Sequence, residues 1–373
     1  MTFAKLKAPK NDEIEVSIFG PGKGECVVLH LGNNDWIIVD SCVNRASKKP
    51  IALEYLESLG ISPDEAVKLV AVSHWHDDHI KGTSQIVRTC KDAYFVCANA
   101  LLRSEFAQFV EVYSKRFRSE RYDSGTDEFA AITEQLFSEY VGKRPYPKRL
   151  LWAAANKRLA VWDGGGRPFP VELYSLSPSD AAFSLAIAEF RDLLPQPGTP
   201  KRRAPSLSPN HASAAFWIIA GTFNILLGGD LETGSNEDLG WRAVMGSAAR
   251  PSGRASIVKA PHHGAQSGYY APMWQQMAEP NTVSLIAPFC GGVKPLPSEK
   301  DIARIKKHTQ RIFITGEPKG WSPKRRDSAA DKFSSTVVLT RRRVEGEMGH
   351  VCVRIPQGGK EMQIHLSSGA QSL

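Results

Sequence analysis

Short apolar runs that end in turn residues alternate along this chain with stretches of helical periodicity. Residues 13–19 alternate in polarity and read as a strand; 25–31 and 36–39 read as two more, separated by a Gly-Pro-Gly-Lys-Gly turn and an Asn-Asn-Asp turn. Residues 50–59 have the period of an amphipathic helix, which Gly60 closes. The β-branched run 69–72, bounded by Ser73, predicts a buried strand, followed by a helix over 80–89 and a strand over 93–98. From 100 to 159 the period becomes helical. Phe106, Phe109, Tyr113 and Phe117 form one stripe, and Phe129, Ile132, Leu136 and Tyr140 a second. Both stripes read as packing faces rather than base-stacking surfaces. Strands are predicted again at 158–162, 171–176, 210–219, 223–227, 256–260, 282–287 and 311–315. Helices are predicted at 181–193 and 299–308, and a closing hairpin at 337–340 and 351–355. Strands interleaved with helices place the chain in the α/β class, with 100–159 inserted into one domain that spans 1–373.

The chemistry gathers where strand 69–72 ends. The chain reads LVAVSHWHDDHIKG, so His74, His76 and His79 stand with Asp77 and Asp78 within six residues, although the protein has only 10 histidines in 373 residues. Side chains two apart in extended backbone point the same way, which pairs His74 with His76. The turn that follows can swing Asp78 and His79 toward the same point. Imidazole with carboxylate suits zinc, manganese or iron. Ligands at the carboxyl end of a strand also lie where sheet-based enzymes bind substrate.

The pattern H-x-H-x-D-H after a buried strand resembles the metallo-β-lactamase fold, a four-layer αββα sandwich that holds one or two metals between its sheets. Several later residues are similar to that family's remaining motifs. Asp40, ending the strand Trp-Ile-Ile-Val, matches an aspartate that orients the metal loop. Gly229-Asp230 matches the bridging aspartate. Pro261-His262-His263-Gly264 matches the final histidine, and the resemblance carries that ligand role to His262, with His263 in reserve. The motif order is similar to the hydrolase domain of bacterial DNA-uptake channel proteins and its free-standing relatives, which are thought to be nucleases. In that branch Asn takes the place of a lactamase histidine, matching Asn210, beside which His211 is an alternative. Leu296 stands where relatives often carry His before a Pro-Ser pair.

The resemblance implies two divalent ions, Zn²⁺ or Mn²⁺, held by His74, His76, Asp78, His79, Asp230 and His262. Asp78 would orient the attacking hydroxide and His263 would protonate the leaving oxygen. A net charge of +8 and a sequence pI near 9.1 favour a polyanion, and nucleic acid above all, as partner. Lys201, Arg202 and Arg203 sit in a Pro- and Ser-rich loop without periodicity and are the candidate phosphate contacts, with Arg341, Arg342 and Arg343 on the last hairpin. The expected function is therefore a metal-dependent phosphodiesterase or nuclease. The alternatives are a small-molecule ester, lactone or cyclic-nucleotide hydrolase on the same metals, or a non-catalytic binding module that meets partner proteins in a larger assembly.

Composition narrows the setting. The six cysteines are scattered, with no C-x-x-C pair, which favours reduced thiols over a disulfide frame. MTFAKLKAPKNDEIEV carries no secretory pattern, and no apolar run approaches a membrane span. The expectation is a cytoplasmic protein without membrane association. No G-x-S-x-G occurs, which sets a serine hydrolase aside.

Overall fold

Central strands such as Cys26–Leu31, Trp36–Val39 and Phe216–Ala220 are apolar on both faces, which requires cover on each side and so dictates layers. The structure is a computed structural model, which describes residues 6–20, 24–114, 124–138, 148–194, 209–290, 295–318, 348–356, 361–367 and 369–373. The first half runs β1 (Ile14–Gly20), β2 (Cys26–Leu31), β3 (Trp36–Val39), α1 (Ile51–Ser58), α2 (Pro63–Ala66), β4 (Val67–Ala71), α3 (Asp77–Ile80), α4 (Thr83–Thr89), β5 (Tyr94–Ala98), α5 (Ser104–Tyr113), α6 (Gly125–Ser138) and β6 (Leu150–Ala153). The second half runs β7 (Lys157–Trp162), β8 (Val171–Ser175), α7 (Asp180–Asp192), β9 (Phe216–Ala220), β10 (Phe223–Leu227), α8 (Gly240–Gly246), β11 (Ala255–Lys259), α9 (Ala271–Met277), β12 (Ala278–Ile286), α10 (Glu299–Ile305), β13 (Ile312–Ile314), β14 (Gly349–Ile355), β15 (Gln363–Leu366) and β16 (Gln371–Ser372).

These strands form two eight-stranded sheets, ordered β15-β14-β1-β2-β3-β4-β5-β6 and β16-β13-β12-β11-β10-β9-β8-β7. In each sheet one half is antiparallel and the other parallel: β3 through β6 in the first, β10 through β13 in the second. Alternation divides each strand between two cores. Val16, Ile18, Leu29, Ile37 and Leu69 meet Leu173, Phe216, Ile218, Ile257 and Leu285 between the sheets. Phe19, Val28, Trp36, Ile38 and Phe95 face outward under α1, α4, α5, α6 and α7, and Trp217, Leu226 and Val258 face outward under α8, α9 and α10. The result is the αββα sandwich of the metallo-β-lactamase fold, as the resemblance implies.

The helical stretch predicted over 100–159 is narrower in the structure. α5 and α6 occupy its described helical part, and the run Leu-Leu-Trp-Ala is instead edge strand β6, paired with β5. So short an apolar run has no period by which to tell a strand from a turn of helix. The helix predicted over 80–89 is also split, because Gly82 adopts a left-handed φ of 87° between α3 and α4. The described parts of the aromatic stripes are packing, with Phe106, Phe109, Phe129 and Ile132 all buried; Phe117, Tyr140 and the strand predicted over 337–340 lie outside the described residues. No helix among the described residues is long and apolar enough to cross a membrane.

Candidate metal centre

Four strand ends, those of β3, β4, β10 and β11, deliver the site. Parallel pairing of β3 with β4 brings Asp40 beside Ser73, and the Asp40 N–H donates to Ala71 O at 2.8 Å. Past β4 the chain enters α3 almost at once, so His74 to His79 curl over the sheet edge. From the second sheet, the Ala214 N–H donates to Ser73 O at 2.8 Å, which joins the two sheet edges, and within that sheet the Asp230 N–H donates to Ser213 Oγ at 3.0 Å. Gly229 makes this approach possible: it holds φ +50°, and a Cβ there would lie 2.7 Å from Ala214 O.

Donor atoms of Asp78, His79, Asp230 and His263 all lie within 4.8 Å of one another. His79 Nε2 is 3.3 Å from Asp230 Oδ2 and 3.5 Å from Asp78 Oδ2; His263 Nε2 is 3.5 Å and 3.3 Å from the same two oxygens. Both Nε2 atoms are buried without a hydrogen-bond partner, as is Asp230 Oδ1. Behind them the tautomers are held. Asp40 Oδ2 accepts from His79 Nδ1 at 2.8 Å while Asp40 also accepts from Ser73 N and Oγ, and His263 Nδ1 donates to Ala287 O at 2.9 Å. Each imidazole thus turns its Nε2 lone pair inward, the arrangement that metal-binding histidines need. His74 Nε2 lies 3.9 Å from Asp230 Oδ2 and 3.0 Å from His76 Nδ1, so the first histidine pair adjoins the same aspartate oxygen.

The electrostatics fit a cation. Burial opposes protonation of His79, yet Asp230, Asp78, Asp40 and Glu25 outweigh it and hold its pKa well above the ordinary value; His263 is raised in the same way, with Asp230 foremost. Burial likewise opposes ionisation of Asp78 and Asp230, but His79 and His263 keep both well below the usual carboxylate range. Burial, with His79 and His76 nearby, drives His74 well below its ordinary value. A buried cluster rich in carboxylate favours positive charge, and these four residues could hold a metal ion through the bare Nε2 atoms.

The predicted residues do not all fall together. His263 stands in the four-residue group, where the resemblance points to His262. Both histidines adopt left-handed backbone (φ 47° and 52°), and this twist turns His263 inward and leaves His262 at the rim. There His262 Nδ1 lies 3.0 Å from Glu232 Oε1 and 2.7 Å from Ser267 Oγ, with Nε2 3.9 Å from Asp230 Oδ2. Asn210 donates to the same Glu232 oxygen at 3.0 Å, and His211 lies 3.5 Å from Glu189. Leu296 bridges to Phe289, whose ring stacks on His263. Lys201, Arg202, Arg203 and Arg341 to Arg343 lie outside the described residues. The reading from sequence did not single out Glu25, Glu232 or Lys259. A lysine ending the apolar run Ser-Ile-Val was the one signal, since buried lysines are rare without a partner.

No protein-family model matches the chain, and the comparison with curated proteins finds no match. Among solved structures, metallo-β-lactamase SMB-1 bound to 2-mercaptoethanesulfonate aligns at 14% identity over 73% of this chain and 81% of its own, with a TM-score of 0.33. The metallo-β-lactamase-fold protein YhfI from Bacillus subtilis aligns at 12% identity over 81% and 95%, with a TM-score of 0.38. AidC, a dizinc quorum-quenching lactonase in complex with a product, aligns at 12% identity over 55% of each chain, with a TM-score of 0.29. These are similarities alone; the fold assignment rests on the sheet order and layering described above.

Proposed function

We propose that this protein is a metal-dependent hydrolase, and within that class a phosphodiesterase that cleaves nucleic acid. The observation that carries the reading is the convergence of Asp78, His79, Asp230 and His263, from three distant parts of the chain, with their inward nitrogens unpartnered. In this reading Asp78, His79 and His263 hold one divalent ion, His74 and His76 hold another, and Asp230 lies between. Bound there, such ions lower the pKa of a water toward neutrality and offset charge that develops on a phosphate.

The remaining work belongs to the side chains. Asp40 keeps His79 in the metal-binding tautomer. Asp78, at the N-terminal turn of α3, directs its carboxylate at the centre and is placed to orient the attacking oxygen. His262 takes the role of proton donor to the leaving oxygen, which the sequence reading gave to His263. It stands at the rim with the Glu232 carboxylate behind its Nδ1, and Asn210 holds that carboxylate in turn. The basic balance of the chain, +8 overall, supports a polyanionic substrate. Its motif order, similar to that of nuclease-like DNA-uptake domains, supports the same choice.

The test is incubation of Zn²⁺- or Mn²⁺-loaded protein with single- and double-stranded DNA and RNA across a salt series. Cleavage that weakens steeply with salt is the expected result. Salt-insensitive hydrolysis of a small ester, with every nucleic acid left intact, removes the nuclease assignment and keeps the hydrolase.

A further inference from the structure

A second layer of charge lies behind the candidate ligands, and the proposed chemistry leaves it unused. Lys259, the last residue of β11, is buried; its Nζ lies 2.5 Å from Glu25 Oε1, donates to Gly229 O at 2.8 Å and stands 3.8 Å from Asp230 Oδ1. Glu25, equally buried just before β2, sets Oε2 3.3 Å from His263 Nδ1 and Oε1 3.6 Å from His79 Nδ1. The two strands belong to different sheets, so this ion pair crosses the sandwich directly beneath the centre.

Lys259 and the imidazoles face different oxygens of the Asp230 carboxylate. Oδ2 is the oxygen that approaches all four facing imidazoles: His79 at 3.3 Å, His263 at 3.5 Å, and His74 and His262 at 3.9 Å. Oδ1 faces Lys259 instead. Packing alone does not account for this arrangement, because apolar residues of equal volume would fill the space without desolvating two charges.

We propose that Lys259 and Glu25 are positioning residues for the metal centre. Lys259 engages Oδ1, which leaves Oδ2 as the oxygen that Asp230 would offer to bound metal. Glu25 anchors the lysine and braces the rear faces of His79 and His263. The proposal rests on the metal-centre reading and adds to it what decides which oxygen Asp230 offers.

The test is calorimetric Zn²⁺ titration of chelator-stripped protein, with Co²⁺ absorption spectra as a second readout of ligand geometry. Lys259→Met alone leaves a buried carboxylate unpaired and can fail to fold, so the informative variant is the Glu25→Gln, Lys259→Met double, which removes both charges. Glu25→Gln alone, which keeps volume and hydrogen-bonding capacity, is the fallback. The expected result is a cooperative melt like the parent's, with the second zinc equivalent bound at least about tenfold more weakly and an altered Co²⁺ band, in line with the effect of removing groups that support metal ligands. Variants that bind two equivalents with parental affinity and spectrum overturn the proposal alone. A parent chain that takes up no metal overturns the metal-centre reading and this proposal with it.

Discussion

Glu128 of α6 accepts the backbone N–H of Gly82 at 2.7 Å, and through this contact a helix far along the chain holds the turn that follows His79. The same carboxylate accepts from Ser84 N at 3.0 Å, and Asp77 accepts from Gly125 N at 2.5 Å. Trp75, between the first two histidines, lays its ring against Phe109 at 5.3 Å and Phe106 at 6.1 Å. Gly125 is required at this seam, since a Cβ there would meet Trp75 O at 2.0 Å. Helices α5 and α6 therefore wall the His74–His79 loop.

Glu128→Ala leaves two N–H groups unpaired at a buried site. The expected loss is about 1–3 kcal/mol of unfolding free energy, read by urea denaturation, with weaker metal retention. A stability and zinc affinity equal to the parent's would show that α6 only covers the loop.

Asp40 accepts from both Ser73 groups and from His79 Nδ1. Asp40→Ala should weaken zinc binding by roughly 10–100-fold, the usual effect of removing a group that orients a ligand histidine. Competition with a chromophoric chelator measures this. Unchanged affinity would remove Asp40 from the metal account.

The adjacent histidines should separate cleanly. His263→Ala is expected to lose bound metal. His262→Ala is expected to keep metal content while kcat on a nucleic-acid substrate falls by roughly 10²–10⁴-fold, the range for loss of a proton donor. The reverse pattern would restore the assignment that the sequence alone suggests.

This pair of histidines shows what could and could not be read from the chain. Strand Trp36–Val39 and the His74–His79 cluster were legible because an apolar run bounded by turn residues, and six residues dense in ligands, are local patterns. The placing of His263 within the four-residue group and of His262 at its rim was not, because it depends on two successive left-handed residues that no local pattern signals. Glu25 and Lys259 escaped for a different reason: they meet only when the two sheets close, more than two hundred residues apart. Glu232 likewise acquires its meaning from His262 and Asn210 once the loops meet.

Two histidines away from the centre set an acid limit. Burial pushes His30 down to about 4 and His350 to about 3, against an ordinary value of 6.5. Both stay neutral in the fold and take up a proton on unfolding. Their contribution is complete above about pH 6.5 and is lost as pH falls toward the folded values. His350→Phe keeps a ring against Phe19, where the centroids are 4.4 Å apart. In chelator-treated protein the variant should lose roughly 1 kcal/mol less stability per pH unit than the parent between about pH 6.5 and 4.5. Urea midpoints across that range check it, and parallel slopes would contradict it.

The most direct measurement is metal content per chain, by elemental analysis after gel filtration, for the parent and for an Asp230→Ala, His263→Ala variant of confirmed fold. Two divalent ions in the parent and a marked loss in the variant are the expected result. A parent with no bound metal after exposure to Zn²⁺ and Mn²⁺, or a folded variant that retains both ions, would contradict it.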